Sequence, residues 1–206
     1  GWAGDVVGDL DGDGFDDLAV GAYGYDNPET SEGKVFVWYG SSGGLGDDGI
    51  PGNADWSAEI DVSSYLGFAV RSAGDVNQDG YADLLATAPS YGFDAQGAPL
   101  NGAGAWFIWT GSGDGLGENG TLTNADYAGF GDQAGGNLGR DQAGTADVND
   151  DGFSDIFVAA YLYDDGQTDE GVVFGYDLAP QGSIDGLVSC TGSLAGSIKT
   201  VFVDLW

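Results

Sequence analysis

Histidine and methionine are absent from this chain of 206 residues, cysteine occurs once, and positive charge is confined to Lys34, Arg71, Arg140 and Lys199. Each shortage excludes something. Without histidine, and without a phosphate-binding glycine-lysine loop, the usual equipment of hydrolases and nucleotide-binding enzymes is missing, and catalysis is not expected. Cys190 stands alone, so no internal disulfide can form; it is either an inert packing element or a point of intermolecular pairing. Against four basic residues stand 34 acidic ones, a formal charge of −30, which argues against nucleic acid and anionic membrane as partners. No apolar run approaches the roughly 18 residues of a membrane span. No signal peptide is visible either, and the chain is expected to be a processed or excised piece of a longer product.

What remains is rich in apolar and small residues. Hydrophobic side chains make up 42% and aromatic ones 13%, enough for one sizeable core. Forty glycines without a G-X-Y period imply many tight turns, as in an all-β protein.

One nonapeptide pattern, D-x-[DN]-x-D-G-[FY]-x-D, occurs three times, beginning at Asp9, Asp75 and Asp147, 66 and 72 residues apart. It places side-chain oxygens at positions 1, 3, 5 and 9 and a glycine at position 6. Alternate residues of a tight loop can turn inward on one hard cation, which takes six to eight oxygens, and the glycine permits the sharp turn. The pattern predicts three calcium sites. Their ligands are Asp9, Asp11, Asp13 and Asp17; Asp75, Asn77, Asp79 and Asp83; and Asp147, Asn149, Asp151 and Asp155. The backbone carbonyls of Phe15, Tyr81 and Phe153 complete the sets. An EF-hand opens with the same ligands but needs a glutamate at position 12, where Val20, Ala86 and Val158 stand. The short apolar runs that follow, such as Leu84-Leu85-Ala86, read as buried strands rather than helices. Carboxylates crowded without a cation repel, so metal binding and folding are expected to be coupled.

Counting outward from the loops extends the repeat. A glycine stands eight residues before each first aspartate (Gly1, Gly67, Gly139), preceded in the latter two by Leu66 and Leu138. A polar excursion follows each loop and its strand. It ends at a glycine and an aromatic strand: Val35-Phe36-Val37-Trp38, Ala105-Trp106-Phe107-Ile108-Trp109 and Val172-Val173-Phe174. Two repeats then carry Asn53-Ala54-Asp55-Trp56 and Asn124-Ala125-Asp126-Tyr127, read as a fourth strand or its approach; the third has Asp177-Leu178 and a different ending. Four short strands per repeat make a propeller blade. The fold expected is therefore all-β, a propeller segment of three four-stranded blades, at 1–58, 59–130 and 131–206, with an atypical tail over 182–206.

Leu66-Gly67-Phe68-Ala69, the loop Asp75 to Asp83 with Leu84-Leu85, and Thr87-Ala88-Pro89 resemble the FG-GAP repeat, the blade unit of integrin alpha-subunit propellers and of many bacterial surface proteins. The resemblance runs over about residues 1 to 176. It implies a β-propeller with calcium between the first two strands of its blades, an extracellular or cell-surface location, and a role in adhesion or ligand binding. Three blades leave open edges, which natural proteins avoid, and the apolar blade faces represented by Val35, Val37, Phe107 and Phe174 are expected to be left partly uncovered at the ends. Further blades of the same polypeptide, or other chains of a homo-oligomer, are therefore expected as partners, with Val201 to Trp206 as the donor strand. A structural subunit of a filament or surface assembly is the alternative. Carbohydrate is a further candidate partner, since Trp56, Trp106, Trp109 and Tyr127 could stack on sugar rings, although a core role suits each better.

Overall fold

The computed structural model describes residues 1–46, 49–179 and 198–201. Cys190 and most of the tail lie outside them. Among the described residues, twelve strands form three four-stranded antiparallel sheets, each running through its strands in chain order. The first holds β1 (Ala3–Gly8), β2 (Asp17–Ala22), β3 (Lys34–Trp38) and β4 (Trp56–Ala58). The second holds β5 (Val70–Gly74), β6 (Asp83–Ala88), β7 (Ala105–Trp109) and β8 (Tyr127–Phe130). The third holds β9 (Leu138–Ala146), β10 (Asp155–Ala160), β11 (Val172–Tyr176) and β12 (Ile198–Val201). These are three blades of a propeller, an open segment rather than a closed ring.

Burial follows each sheet's position. The middle sheet is covered on both faces, so every residue of β6 and β7 is buried; β7 is accordingly a continuous apolar run, and β6 is apolar apart from Asp83 and Thr87. β2, at one end, alternates buried with half-buried residues instead. One core, centred on Val35, Val37, Trp56, Leu84 and Phe107, joins the first two sheets. The other, including Leu85, Trp106, Ile156, Val158 and Phe174, joins the second and third.

At each junction the backbones nearly touch. Gly33 bridges Leu66 and Gly104 bridges Leu138 in a parallel sense. A Cβ on either glycine would meet the leucine carbonyl oxygen, at 2.2 Å for Gly33 and 2.3 Å for Gly104, and both glycines sit at positive φ. No other residue type fits there.

Asn53 and Asn124 explain their place in the repeat. Trp38 Nε1 donates to Asn53 Oδ1 at 3.0 Å and Trp109 Nε1 to Asn124 Oδ1 at 3.2 Å. Asp55 and Asp126 then accept the N–H groups of Tyr39 and Thr110, at 2.9 and 2.8 Å. The element clamps the end of the third strand while Trp56 or Tyr127 opens the fourth.

Two expectations are corrected. Val35, Val37, Phe107 and Phe174 were expected to be partly uncovered at the ends of the segment, yet they are 0%, 0%, 0% and 6% exposed, because they face the inter-blade cores. The outward faces carry other residues, the half-buried Leu18 and Val20 on β2 and Phe157 and Ala159 on β10. The tail also differs from expectation. Its described stretch, Ile198–Val201, pairs with β11 of its own chain, Val201 opposite Val173 and Ile198 opposite Tyr176, so Val201, the first residue of the expected donor strand, adds to the third sheet of its own chain. The remainder of the expected donor strand lies outside the described residues.

Candidate metal centre

Each nonapeptide links the first and second strands of its sheet. Gly8 and Gly74, both at positive φ, sit where the pairing register of the first two sheets shifts, which tips the chain out of the ladder and into the loop. Inside, the three loops repeat one hydrogen-bond plan. The first aspartate caps the turn: Asp9 Oδ1 accepts from the Asp13 N–H at 3.1 Å and Oδ2 from Gly14 at 2.9 Å. Asp75 and Asp147 accept the corresponding N–H groups of Asp79 and Gly80, and of Asp151 and Gly152, at 2.9 to 3.2 Å. Position 3 accepts from position 5, and position 5 accepts from the aromatic at position 7, in all three. The glycine at position 6, Gly14, Gly80 or Gly152, has φ between 92° and 94°.

Position 9 is the most constrained. Asp17, Asp83 and Asp155 are 1%, 0% and 3% exposed. Each accepts, on Oδ2, the N–H of the second loop residue: Leu10 and Val76 at 2.7 Å, Val148 at 2.9 Å. In the first two sheets Oδ1 also accepts an N–H from beyond the third strand, Gly40 at 2.6 Å and Gly111 at 2.9 Å. In the third sheet Asp177-Leu178 replaces that glycine turn, and the buried Asp155 Oδ1 is left without a partner.

A cation fits this donor set. One carboxylate oxygen from each of Asp9, Asp11 and Asp17 lies within 4.8 Å of the others. Oxygens sharing one calcium at 2.3–2.6 Å stand at most about 5 Å apart. Asp13 is outside that trio, its Oδ1 engaged by the Phe15 N–H at 2.9 Å. In the other two loops an asparagine replaces the second carboxylate and bonds sideways, Asn77 Nδ2 to Asp79 Oδ2 at 2.8 Å and Asn149 Nδ2 to Asp151 Oδ2 at 2.9 Å. Burial drives the position-9 carboxyls upward, Asp17 to about 6 and Asp83 to about 7, with neighbouring loop carboxylates adding to the shift. Burial raises Asp155 as well. A buried carboxylate ringed by others holds a proton unless a cation replaces it.

The loops also touch one another. Ala82 N–H, in the second loop, donates to the carbonyl of Asp9 at 3.0 Å, and Ser112 N–H donates to Leu10 O at 3.0 Å. Sequence reasoning missed position 4: Gln78 and Asp150 stand at φ 59° and 61°, where Gly12 stands in the first loop. Gly12 in the first loop and the tolerance of aspartate for the left-handed region were the available signals; Gln78 carries none. Gly40-Ser41-Ser42-Gly43-Gly44 matches the G-x-S-x-G spelling of a hydrolase elbow, but Ser42, at its nucleophile position, lies in an exposed surface turn with no α-helix following among the described residues, and the chain has no histidine to activate it.

The FG-GAP repeat family model matches residues 1–38 and 69–106, each spanning a first strand, its loop and the strands beyond. The chain carries FG-GAP repeats. Among its relatives is integrin alpha-6 of Gallus gallus, 33% identical over 160 residues that make up 75% of this chain and 13% of that protein. Integrin alpha-PS2 of Drosophila melanogaster is 37% identical over 97 residues, 45% of this chain and 7% of the relative. Phosphatidylinositol-glycan-specific phospholipase D of Mus musculus is 32% identical over 171 residues, 80% of this chain and 19% of the relative. The chain thus spans less than a fifth of each of these proteins. The third blade lies beyond the matched residues; its loop keeps the bonds accepted by positions 1, 3, 5 and 9 from within the loop but lacks the glycine N–H bond to position 9.

Proposed function

We propose that the chain is a calcium-loaded FG-GAP propeller segment of an extracellular or cell-surface protein, with a role in adhesion or ligand binding. The observation that carries the reading is the thrice-repeated loop with a buried aspartate at its end, a carboxyl whose burial is explained once a cation is opposite it. Each loop holds one calcium through the side chains at positions 1, 3, 5 and 9 (Asp9, Asp11, Asp13, Asp17; Asp75, Asn77, Asp79, Asp83; Asp147, Asn149, Asp151, Asp155). The carbonyls of Phe15, Tyr81 and Phe153 join them. Chain division at 1–58, 59–130 and 131–206 agrees with one sheet in each part. Similarity to integrin alpha subunits supports the adhesive role and protein partners; catalysis is not part of this reading.

Calcium titration of the chain tests it. The first loop, with four carboxylates, fills first, in the range of about 10⁻⁴ to 10⁻³ M typical of extracellular modules. Asp11→Asn brings its affinity level with the other two. Loops that stay ordered and metal-free in millimolar calcium would overturn the assignment.

The lectin reading loses three of its four candidate residues and keeps only the half-buried Tyr127. Trp56, Trp106 and Trp109 are 1%, 0% and 2% exposed, too deep to stack on a sugar ring. The assembling-subunit reading keeps one supporting observation, the half-buried apolar residues on the outward faces of the first and third sheets.

A further inference from the structure

A second group of carboxylates lies away from the loops. Glu32 ends the excursion between β2 and β3, and Glu59 and Asp61 follow β4; one oxygen from each lies within 4.8 Å of the others. Glu32 is fully buried, at 0% exposure, and neither of its oxygens has a hydrogen-bond partner. Glu29 Oε2 is likewise buried with no donor facing it, and only a proton shared with Glu32 would bond it. Blade packing does not require this arrangement. At the next junction Ala103 holds the same place: Leu138 N–H donates to Ala103 O at 2.9 Å just as Leu66 N–H donates to Glu32 O at 2.9 Å. A methyl group therefore serves the backbone contact, and the Glu32 carboxylate needs another reason.

Lys34 does not supply it. Its ammonium is 2.6 Å from Glu59 Oε2, while Asn27 Nδ2 donates to Glu59 Oε1 at 2.8 Å. These contacts orient Glu59 and leave each of its oxygens a free lone pair. One ammonium faces four carboxylates, and three buried oxygens remain unsatisfied. Burial, then the Glu59 charge, pushes the Glu32 carboxyl up to about 7.

We propose that Glu32, Glu59 and Asp61, with Glu29 beside them, hold a calcium ion at the junction of the first two blades, distinct from the ions of the loops. The ligand chemistry favours calcium: a cluster of carboxylates from several segments suits its flexible all-oxygen coordination, whereas magnesium keeps several of its waters and is bound through only one or two carboxylates. The cleft of about 540 Å³ bounded by Glu59, Asp61, Asn119 and Thr121 gives an ion a path from solvent. Bound there, the ion ties the β2–β3 excursion to the segment that leads into the second blade.

Equilibrium dialysis of the whole 206-residue chain against radiolabelled calcium, with each variant compared to the parent, tests the site. Glu32→Gln lowers the number of ions bound by one, and Glu59→Gln with Asp61→Asn does the same. Asp9→Asn with Asp17→Asn, placed in the Glu32→Gln background, removes one further ion, which separates this site from the loop reading. An unchanged count in Glu32→Gln, with a melting temperature raised equally in calcium and in chelator, would mean that Glu32 holds a proton and would overturn the proposal. If Glu32→Gln fails to fold, the Glu59 and Asp61 variant decides, because those side chains are half-buried and exposed; an unchanged count there also overturns it.

Discussion

Asp17 and Asp83 show how a single carboxylate can bind strand geometry to metal chemistry. Each receives two backbone N–H groups from segments far apart in the chain, and each is ringed by loop carboxylates that burial keeps from being screened. Their folded pKa values, about 6 and about 7, lie above the ordinary 3.8. Between about pH 4 and 7 the metal-free folded chain therefore binds more protons than the unfolded chain, and its stability falls as pH rises through that window. Calcium displaces those protons, so its own stabilisation grows over the same interval. Thermal melts should show the chelated chain melting higher at pH 5 than at pH 7.5, and the order reversed in millimolar calcium. The same order in both conditions would count against position 9 as a ligand. At this scale the loop side chains were legible because three copies aligned them. Gln78 was not, since a left-handed backbone there is imposed by the loop, nor was Glu32, whose partners Glu59 and Asp61 lie 27 and 29 residues on.

Among elements, strand identity was legible from alternation and from aromatic and β-branched runs, and the loops fixed the register between first and second strands. The asparagine clamp was visible only as a recurrent N-A-D-[WY] spelling; its mechanism needed the fold, because Trp109 and Asn124 meet across 15 residues. Trp109 is 2% exposed, so Asn124→Ala leaves a buried indole N–H unpaired. Removal should cost about 1–3 kcal/mol, measured as a lowered denaturation midpoint at constant slope. Trp109→Phe in the same chain should recover part of the loss, since both polar partners are then gone. A midpoint unmoved by Asn124→Ala would show that the clamp is incidental.

For the whole molecule, the sequence reading foresaw open ends but misassigned the residues that line them. Period-2 alternation says that β3 has two faces; it cannot say which meets a neighbouring blade. The structure turns Val35 and Val37 inward and leaves Leu18 and Val20 half-covered on β2. The 206-residue chain alone is therefore expected to associate through these outward faces, with particle mass in calcium, by light scattering, rising with concentration. Val20→Asp should reduce that association. Deleting Lys199 to Trp206 should increase it, because Val173, Phe174 and Gly175 of β11 then lose their pairing partners. A monomer in all three cases would mean that the outward faces are adequately solvated as they stand.

The Gly40 and Gly111 hydrogen bonds give assembly an order in time. All ligands of a loop lie within nine residues, so a hairpin of two strands can capture its ion at little loop-closure entropy before any blade meets another. Only afterwards does the third strand arrive to place its glycine N–H on the waiting aspartate. In a nascent chain entering a calcium-rich compartment, each ion would then act as an early checkpoint, ratcheting the hairpins one by one. Pulsed hydrogen exchange during refolding should protect the Leu10 and Val76 amides ahead of those of Gly40 and Gly111. The third blade, with no such glycine to place, would pass through one step fewer.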